Sequence, residues 1–594
     1  MKEKITVKGN FTLTDEKIKL MCKLGYEDND FLFTKEKDNH IIVDKNKNIL
    51  YIEDTRHNKN KYIKYIQDVQ KKREKKVVLT TLSPDTHRTS EENLGISYLA
   101  AILRKNGYNV EIIDGWLGEF KEEEILEKIS KQRDTMIVGV SCYMSNNEKS
   151  IELAKKIKDI NPNIRLMCGG FGPSFNPQKF LKDNVFDVAI IGEGEETIIE
   201  VCDYFTGNSN KQLEEIKGIA YINNERVYKT AKRELIKDLD IIPFPARDTM
   251  RLAKDRKSTV NVLTARGCKG NCLFCSVNAF NKLSIGNKWR GRSVENIVSE
   301  LEQLQNMGIK HIKIIDDSFL ENERDEEWVK EFRDKMLERK IDIYLRGSLK
   351  AEQVEDKKIS YLKEAGFHSF ACGIENGSDT ALKRMNKTAR LEDNKKALDI
   401  LKKYGIYVQA GFILFDDNTT FEELKENYNF LREYDWIITK GIFSEMFAAD
   451  GTLYTEKLKK EDKIIKYEVY DNNKYEITDH KVKLAYNALK RWHKSHMKLY
   501  DMIIDPISSP KAINATGEKE FYDLYYKLKL KDLSFMQMVL EVIEQGISEQ
   551  GLNQKTTLEI VNNNEFYKNI KEQGIHLCQK YELKYDGKEN PFVR

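Results

Sequence analysis

The chain has 594 residues, more than one hydrophobic core usually organises, so three or four domains are expected. Hydrophobic residues make up 40% and charged residues 33% of the sequence, a balance typical of soluble globular proteins. The formal net charge of +3 is too small to favour nucleic-acid binding. Because the N-terminus lacks the apolar region of a signal peptide and no apolar run reaches the length of a membrane span, we expect a cytoplasmic protein that binds no membrane.

The first two parts of the chain differ in pattern. Residues 1–74 are rich in Lys, Asp and Asn, and their role is not indicated, although HIIVDKNKNILYIED is typical of a β-hairpin. In residues 75–205, five short apolar strands alternate with amphipathic helices. These strands are VVLTTL, NVEIID, MIVGVSC, IRLMCGG and DVAIIG. Strands buried on both faces and connected by helices predict a doubly wound parallel sheet, a Rossmann-like domain.

A second α/β unit follows a connector. Residues 206–255 form this connector, in which Pro243 and Pro245 impose an extended path. Residues 256–450 repeat the strand–helix alternation six times, which predicts a partial (β/α)6 barrel with its chemistry at the C-terminal strand ends. Residues 451–594 are mainly helical and charged. The predicted fold class is therefore multidomain α/β: a doubly wound sheet, a partial barrel and a helical C-terminal domain.

Most side chains that could bind a metal stand alone in the sequence. The nine cysteines are odd in number and mostly isolated, which argues against a disulfide framework. Those in apolar surroundings are interpreted as small buried side chains: Cys142, Cys168, Cys202 and Cys372. In the amphipathic stretch LAYNALKRWHKSHMKLYDMI, the residues interpreted as packing and surface residues are Trp492, His493 and His496.

One loop is different. The stretch RGCKGNCLFCSV places Cys268, Cys272 and Cys275 directly after the first predicted barrel strand. Thiolates suit zinc, copper(I) or iron–sulfur clusters. Structural zinc needs four protein ligands and no second cysteine pair is present, so a catalytic zinc bound by three cysteines is the zinc alternative. Three thiolates also fit three corners of a 4Fe–4S cube whose fourth iron stays open. Gly267 and Gly270 allow the loop to wrap tightly around such a core.

The CxxxCxxC spacing after the first strand of a six-unit partial barrel resembles that of the radical S-adenosylmethionine (SAM) enzymes. The resemblance implies that the open iron binds the amino and carboxylate groups of SAM. An electron from the cluster then cleaves SAM to methionine and a 5′-deoxyadenosyl radical. This reaction implies an external electron donor such as flavodoxin or ferredoxin.

The same resemblance implies a set of SAM-binding residues. Phe274 occupies the aromatic position that touches adenine, and Asp316 and Asp317 end the second strand, where the family recognises the methionine amino group. Glu375, in GIENGSDTALKRMNK after the fourth strand, is the candidate for a further contact. Arg346, at the end of the third strand, fits a SAM contact or an ordinary salt bridge equally well. The stretch GFILFDDNTTFEE lacks the Gly–Pro-rich turn that is usual after the fifth strand.

Three loops of the front domain resemble those of the cobalamin-binding domains joined to many radical SAM enzymes. They are VGVSCYMSN, LMCGGFGPSF and IIGEGEET, and the resemblance spans about residues 77–450. No GxGxxG or acidic cluster follows the first strand, which argues against a nucleotide-binding domain. The alternative is a doubly wound domain that has lost its ligand. The resemblance implies cobalamin contacts from Leu82, Ser141, Tyr143, Gly169, Gly170, Gly192, Glu193 and Gly194.

A cobalt-ligating histidine is not expected. DTHRTS has Asp85 and His87 at the spacing of the cobalamin signature DxHxxG, but Ser90 replaces its glycine. The loop also lies too far ahead of the first helix, where Gly95 is the counterpart glycine. We interpret His87 as a loop residue, and the lower axial ligand of cobalt is not identified by the sequence.

Together the two resemblances identify a cobalamin-dependent radical SAM enzyme similar to the class B methyltransferases. They imply natural-product biosynthesis, in which the radical abstracts hydrogen from an unactivated carbon, methylcobalamin donates the methyl group and a second SAM recharges the cobalt. The alternatives are a cyclisation, ring contraction or other rearrangement, and, in another class, a non-catalytic cobalamin and iron–sulfur sensor. Small-molecule and peptide substrates are both compatible with the sequence, and we expect a monomer.

Overall fold

The N-terminal part of the described chain is a small antiparallel sheet. The computed structural model describes residues 31–36, 39–44, 49–51, 75–83, 91–132, 134–466, 473–508 and 515–583. The small sheet consists of the strands Phe31–Glu36, Asn39–Asp44 and Ile49–Tyr51. Its second and third strands form the predicted hairpin. Within the described residues, no helix combines the length and the apolarity that crossing a membrane requires.

The front domain is a seven-stranded sheet with an apolar core on each face, as predicted for a doubly wound fold. Five parallel strands are Lys76–Thr81, Asn109–Asp114, Thr135–Ser141, Arg165–Gly169 and Val188–Ile190, with the second at one edge beside the first. Two antiparallel strands from the predicted connector, Ile219–Asn223 and Arg226–Lys229, extend the other edge. The helices are Leu94–Lys105, Gly115–Gly118, Glu122–Ser130, Asn147–Ile160, Phe171–Phe175, Pro177–Leu181 and Glu195–Phe205.

The barrel has five parallel strands in sequential order. They are Val260–Val262, His311–Ile314, Tyr344–Lys350, Phe367–Glu375 and Tyr407–Phe412. The surrounding helices are Met250–Asp255, Ser276–Asn281, Val294–Asn306, Glu326–Glu338, Asp356–Glu364, Asp379–Arg384, Leu391–Lys403 and Phe421–Glu433. The helix Val294–Asn306 begins where the Ser293 side chain accepts a hydrogen bond from the Asn296 amide at 3.2 Å, and its apolar face is buried as its spacing predicts.

The sixth predicted strand, WIITKGIF, is present only as two single bridges. Ile438 pairs with Gln409, and Glu445 pairs with Phe415. Between these bridges Gly441 has a φ of +80°, a left-handed conformation that interrupts a strand. Residues of this segment, among them Gly441 and Phe443, line a cavity.

The C-terminal domain is helical, as predicted, and shares one apolar core with the barrel. Its helices are Leu453–Lys460, His480–Ser508, Ala515–Glu544, Glu549–Asn562 and Asn564–Lys580, and a short ribbon pairs Ile464–Lys466 with Lys474–Tyr475. Trp492 is fully buried and its ring stacks on that of Phe535 at 3.9 Å. Because the core is continuous, the helix that carries Trp492 is a fixed wall of the barrel's open side.

Candidate active site

Two glycines shape the cysteine loop at the C-terminal end of the first barrel strand. The Gly270 amide donates a hydrogen bond to Cys268 Sγ over 3.3 Å. A Cβ at Gly270 would lie 3.3 Å from that sulfur and 3.8 Å from Cys272 Sγ. Gly267 has a φ of +83°, and a Cβ there would lie 1.8 Å from the Lys288 carbonyl oxygen. A loop of this shape therefore needs glycine at position 267, and Gly270 leaves room for the two sulfurs.

The three thiols are partly buried. Burial raises the pKa of Cys268 and of Cys272 to about 11 and also raises the pKa of Cys275. The ammonium groups of Lys350, near Cys268, and Lys387, near Cys272, act in the opposite direction and favour the thiolates. In the described part of the chain, no three His, Cys, Asp or Glu side chains are arranged to hold one metal ion. Three soft thiol donors on one loop are the donor set that an iron–sulfur cluster with one open iron takes.

The buried carboxylate of Glu321, in the segment after the second barrel strand, supports this loop. It accepts hydrogen bonds from the Lys269 amide at 3.2 Å and from Gln353 Nε2 at 2.9 Å. Lys350 Nζ lies 3.0 Å from the same carboxylate. Glu321 thus connects the cysteine loop to the end of the third strand.

A second support comes from the segment after the fourth strand. The Leu273 amide donates to the Met385 carbonyl at 3.0 Å, and Asn386 Nδ2 donates to the Asn271 carbonyl at 2.8 Å. This segment therefore fixes the middle of the cysteine loop.

Ion pairs replace the Gly–Pro-rich turn after the fifth strand. Arg384 bridges Asp416 at 2.9 Å and Glu423 at 2.8 Å. Asp417 pairs with Lys463 at 2.7 Å and with Lys457 at 3.1 Å. The loop is held by charge rather than by proline stiffness.

The two predicted aspartates of the second strand have different surroundings. Asp316 is buried, accepts a 2.6 Å hydrogen bond from the Thr264 amide and lies 3.6 Å from Arg324. This enclosure argues against the predicted contact between Asp316 and SAM. Asp317 is open to the space above the barrel, although its carboxylate accepts a 3.1 Å hydrogen bond from the Gly267 amide. Partial desolvation by the surrounding protein, together with the charge of Asp316, raises the pKa of Asp317.

Glu375 has a strained backbone and a buried carboxyl group. It ends the fourth strand with a φ of +63°, a conformation that is costly for a residue other than glycine and is often found at functional sites. A Cβ at Gly373 would lie 2.8 Å from its Oε1, and one at Gly411 would lie 3.3 Å from its Oε2. Burial raises the pKa of Glu375. Two glycines therefore make room for this carboxyl group, which supports its predicted role.

Lys387 is a site residue that sequence reasoning missed. Its Nζ donates to the Gly373 carbonyl at 3.1 Å and lies 3.8 Å from Glu375 Oε1. It is nearly inaccessible to solvent and acts on the pKa of Cys272, as described above. In the sequence, Lys387 is only the last residue of GIENGSDTALKRMNK. The turn after the helix Asp379–Arg384 brings it close to the cysteines.

The two remaining predicted SAM residues lie in different surroundings. Arg346 is buried in the third strand and donates a hydrogen bond to Gln409 Oε1. It contacts a side chain of the fifth strand and lines the cavity described next. Phe274 is partly buried against an apolar cluster that includes Met446 and Tyr454.

A cavity of about 430 Å³ lies where the sixth strand is interrupted. The barrel contributes Gly411 and Gly441, and the long helix His480–Ser508 contributes His493 and Tyr500. Because a Cβ at Gly411 would lie 3.3 Å from Glu375 Oε2, the cavity adjoins the predicted SAM site. Sequence reasoning missed His493, since its ring reaches the cavity only through the packing of this helix on the barrel.

The ligand edge of the front domain consists of backbone and small residues. Gly170 has a φ of +105°, and a Cβ there would lie 2.5 Å from the Cys142 carbonyl oxygen. Gly192 has a φ of +79°. Other predicted residues have protein partners: the Leu82 carbonyl accepts from Asn146, Ser141 Oγ accepts from Asn93, and the Tyr143 ring packs edge-on against Trp116. The open backbone at Gly170 and Gly192 fits the close approach of a broad, flat ring such as a corrin.

The carboxylate of Glu193 is paired with two arginine side chains of the barrel. Arg290 lies 2.8 Å and Arg266 lies 3.3 Å from its Oε1. These ion pairs leave the backbone of Glu193, rather than its side chain, for the predicted contact with cobalamin. His87, interpreted as a loop residue, lies outside the described residues.

Comparison with known proteins matches the two α/β units in order. Residues 76–202 match the B12 binding domain, and residues 262–431 match the radical SAM superfamily. An uncharacterized methyltransferase, PH0819 of Pyrococcus horikoshii, is 31% identical over 366 residues, 61% of this chain and 75% of that protein. The chain belongs to the cobalamin-dependent radical SAM enzymes. The anaerobic magnesium-protoporphyrin IX monomethyl ester cyclase of Rubrivivax gelatinosus is 26% identical over 66% of this chain and 71% of that protein.

Solved structures extend the likeness to the whole fold of this radical SAM enzyme. The cobalamin-dependent enzyme OxsB matches with a TM-score of 0.71 and 18% identity, over 97% of this chain and 94% of that one. The methyltransferase TsrM of Kitasatospora setae matches with a TM-score of 0.53 and 16% identity, over 61% and 72% of the two chains. These matches confirm the predicted fold class. The two domain matches, with these neighbours, confirm the predicted cofactors: cobalamin, SAM and a 4Fe–4S cluster.

Proposed function

We propose that this radical SAM enzyme methylates an unactivated carbon of a small molecule bound in the 430 Å³ cavity. The observation that carries the proposal is the position of the cavity, which shares Gly411 with the predicted SAM site. Its volume lies in the range of small-molecule sites, which favours a small molecule over a peptide. Two relatives named as methyltransferases support the reaction: PH0819, and the cytidylyl-2-hydroxyethylphosphonate methyltransferase of Streptomyces wedmorensis, 24% identical over 62% of this chain and 77% of that protein.

The chain's own residues hold, shield and balance charge. When bound, the cofactors supply a deoxyadenosyl radical and a transferable methyl group. Cys268, Cys272 and Cys275 hold the cluster, and the lysines 350 and 387 offset the negative charge that three thiolates bring. The helix His480–Ser508 closes the side of the cavity and limits the access of water.

The test uses anaerobically reconstituted protein with SAM, cobalamin and a chemical reductant. Methylation predicts two products of SAM, S-adenosylhomocysteine from methyl transfer and 5′-deoxyadenosine from radical cleavage. Methyl transfer to cobalamin is visible in the absorption spectrum without knowing the substrate. Deoxyadenosine without S-adenosylhomocysteine or methylcobalamin would overturn the methyltransferase proposal. The Cys578→Ala variant, which lacks only a buried cysteine of the C-terminal domain, is the control and should give the same products as the parent.

A second candidate is a cyclisation or other rearrangement. OxsB matches almost the whole chain, and relatives are named as a cyclase and as a 4′-phospho-dehydrooxetanocin synthase. This candidate predicts deoxyadenosine alone from the same assay. A sensor without turnover predicts neither product. An electron donor such as flavodoxin or ferredoxin belongs to the proposal for both enzymatic candidates.

A further inference from the structure

The two cofactor-bearing loops are bound to each other by buried ion pairs. A two-stranded ribbon, Ala265–Arg266 paired with Arg290–Gly291, forms both ends of the segment that contains the three cysteines. Arg266 lies 2.5 Å from Glu195 Oε1 and 3.3 Å from Glu193 Oε1. Both glutamates follow the fifth strand of the front domain, in the loop IIGEGEET. The ribbon therefore holds the predicted cobalamin loop from the side of the cluster.

Arg290 makes a second connection between the ribbon and the front-domain loop. Its two terminal nitrogens lie 2.8 and 3.0 Å from the two carboxylate oxygens of Glu193, a bidentate geometry. It also donates to the Ile236 carbonyl at 2.8 Å. The Arg266 guanidinium lies 5.5 Å from the centre of the Tyr98 ring, so it is confined on its other side as well.

Two contacts without charge join the same parts of the molecule. The ring of Phe171, directly after Gly170, lies 4.8 Å from the ring of Phe280 in the helix that follows Cys275. A Cβ at Gly192 would come within 2.6 Å of Ser284 Oγ, so this glycine permits a close approach. The glycine loops of the front domain thus meet the cysteine segment at several points.

Buried ion pairs of this kind pay a desolvation cost, so they add little net stability, but they impose a fixed geometry. We propose that Arg266 and Arg290, through Glu193 and Glu195, are positioning residues that fix the distance between cobalamin and the iron–sulfur cluster. None of the four is assigned to bind the cluster. The proposal concerns the arrangement of the cofactors and does not depend on whether the reaction is methylation or rearrangement.

The test measures cofactor geometry instead of turnover. Protein loaded with cob(II)alamin and a reduced cluster contains two unpaired-electron centres, and the magnetic coupling between them depends on their separation. We would compare the variants Arg266→Gln, Arg290→Gln and Glu195→Gln with the parent by electron paramagnetic resonance. Iron content and the affinity for hydroxocobalamin are measured on the same samples. Arg333→Gln is the matched control, because Arg333 also bridges two carboxylates but on the outer face of the barrel.

The expected result is near-normal iron content and cobalamin affinity, with a weakened or broadened magnetic coupling in Arg266→Gln and Arg290→Gln. Arg266→Lys should restore part of the coupling, since it retains the charge. Coupling equal to that of the parent and of Arg333→Gln would overturn the proposal. Loss of iron or a tenfold loss of cobalamin affinity would also overturn it, because the residues would then serve binding. If Arg266→Gln does not fold, Glu195→Gln carries the test, since it removes one partner of Arg266 and leaves both arginines in place.

Discussion

The two ends of the barrel are built from different chemistry. At the C-terminal end, Glu375, Lys387 and three thiols meet in one place. At the N-terminal end, rings stack: His311 lies over Tyr344 at 5.2 Å, and Tyr344 meets His368 edge-on at 5.5 Å. In full barrels the first end carries catalysis and the second carries stability.

Burial at the N-terminal end shifts the pKa values of two ionisable side chains toward their neutral forms. His368 Nδ1 lies 2.9 Å from the Leu345 carbonyl, and its Nε2 lies 3.7 Å from Glu518 on a C-terminal helix. Burial lowers the pKa of His368 to about 4 and raises the pKa of Glu518 to about 7. Charged side chains therefore meet at the C-terminal end of the barrel, whereas burial favours neutral forms at the N-terminal end. We expect substitutions at the two ends to have separable effects on activity and on stability.

The largest expected effect is at the cysteines. Changing Cys268, Cys272 and Cys275 together to Ala should remove about four irons per chain and abolish SAM cleavage, while one cobalamin stays bound. Metal analysis and corrinoid absorption measure both quantities. Cys202→Ala, a buried cysteine of the front domain, should change neither. Zinc in the parent protein, or iron retained in the triple variant, would contradict the assignment.

The second largest effect is expected on cobalamin affinity, from a substitution at the ligand edge of the front domain. Gly170→Ala places a Cβ 2.5 Å from the Cys142 carbonyl oxygen, so cobalamin affinity should fall about tenfold or more, with iron content unchanged. Titration of the cluster-free protein with hydroxocobalamin measures this. Gly207→Ala has a similarly strained φ of +67° but meets nothing within 4 Å, so it should cost only about 1 kcal/mol of folding free energy. Equal cobalamin affinities for the two variants would contradict the hypothesis that cobalamin binds at the edge that contains Gly170.

Lys387→Gln should slow SAM cleavage about tenfold, the effect of roughly 1.4 kcal/mol of lost charge stabilisation. The reason is the loss of a buried cation beside Glu375 and Cys272. Deoxyadenosine formation measures the rate, and thermal unfolding checks the fold. Lys395→Gln, which breaks an exposed pair with Glu433, should leave the rate unchanged. A normal rate in Lys387→Gln would assign this lysine a purely structural role.

The smallest effect concerns stability at the N-terminal end. Below about pH 4.5 Glu518 is protonated in both the folded and unfolded states. Between pH 4.5 and 7 only the unfolded state ionises, so stability falls as pH rises and the loss is complete above pH 7. Glu518→Gln removes this loss and should gain about 2 kcal/mol relative to the parent between pH 5 and pH 8. His368 contributes the opposite slope from pH 4 to 6.5. Because His368 lies 3.7 Å from Glu518, making Glu518→Gln in a His368→Gln background as well separates the two contributions.

Urea denaturation at the two pH values measures this difference. Glu520→Gln, on the same helix but paired with Lys580 at the surface, should show no such gain. An unchanged rate of SAM cleavage in Glu518→Gln would support the expectation that substitutions at the N-terminal end affect stability but not activity. A changed rate would contradict it.

Local patterns in the sequence determined the order of the elements, the apolar face of Val294–Asn306 and the cysteine loop with its two glycines. Such features depend on near neighbours in the chain, since spacing fixes which side chains share a face or a loop. The same holds for the glycine-rich loops of the front domain, which follow strands that the sequence shows directly.

Tertiary structure alone decided which charged side chains meet. It enclosed Asp316, brought Lys387 to the cysteines, joined Glu193 to two arginines and opened the cavity at Gly441. The partners in these pairs lie from 8 to 115 positions apart in the chain, counting Asp316 with Arg324 and Cys272 with Lys387. An ion pair or a cavity wall depends on how whole elements pack, and no local spacing encodes that packing.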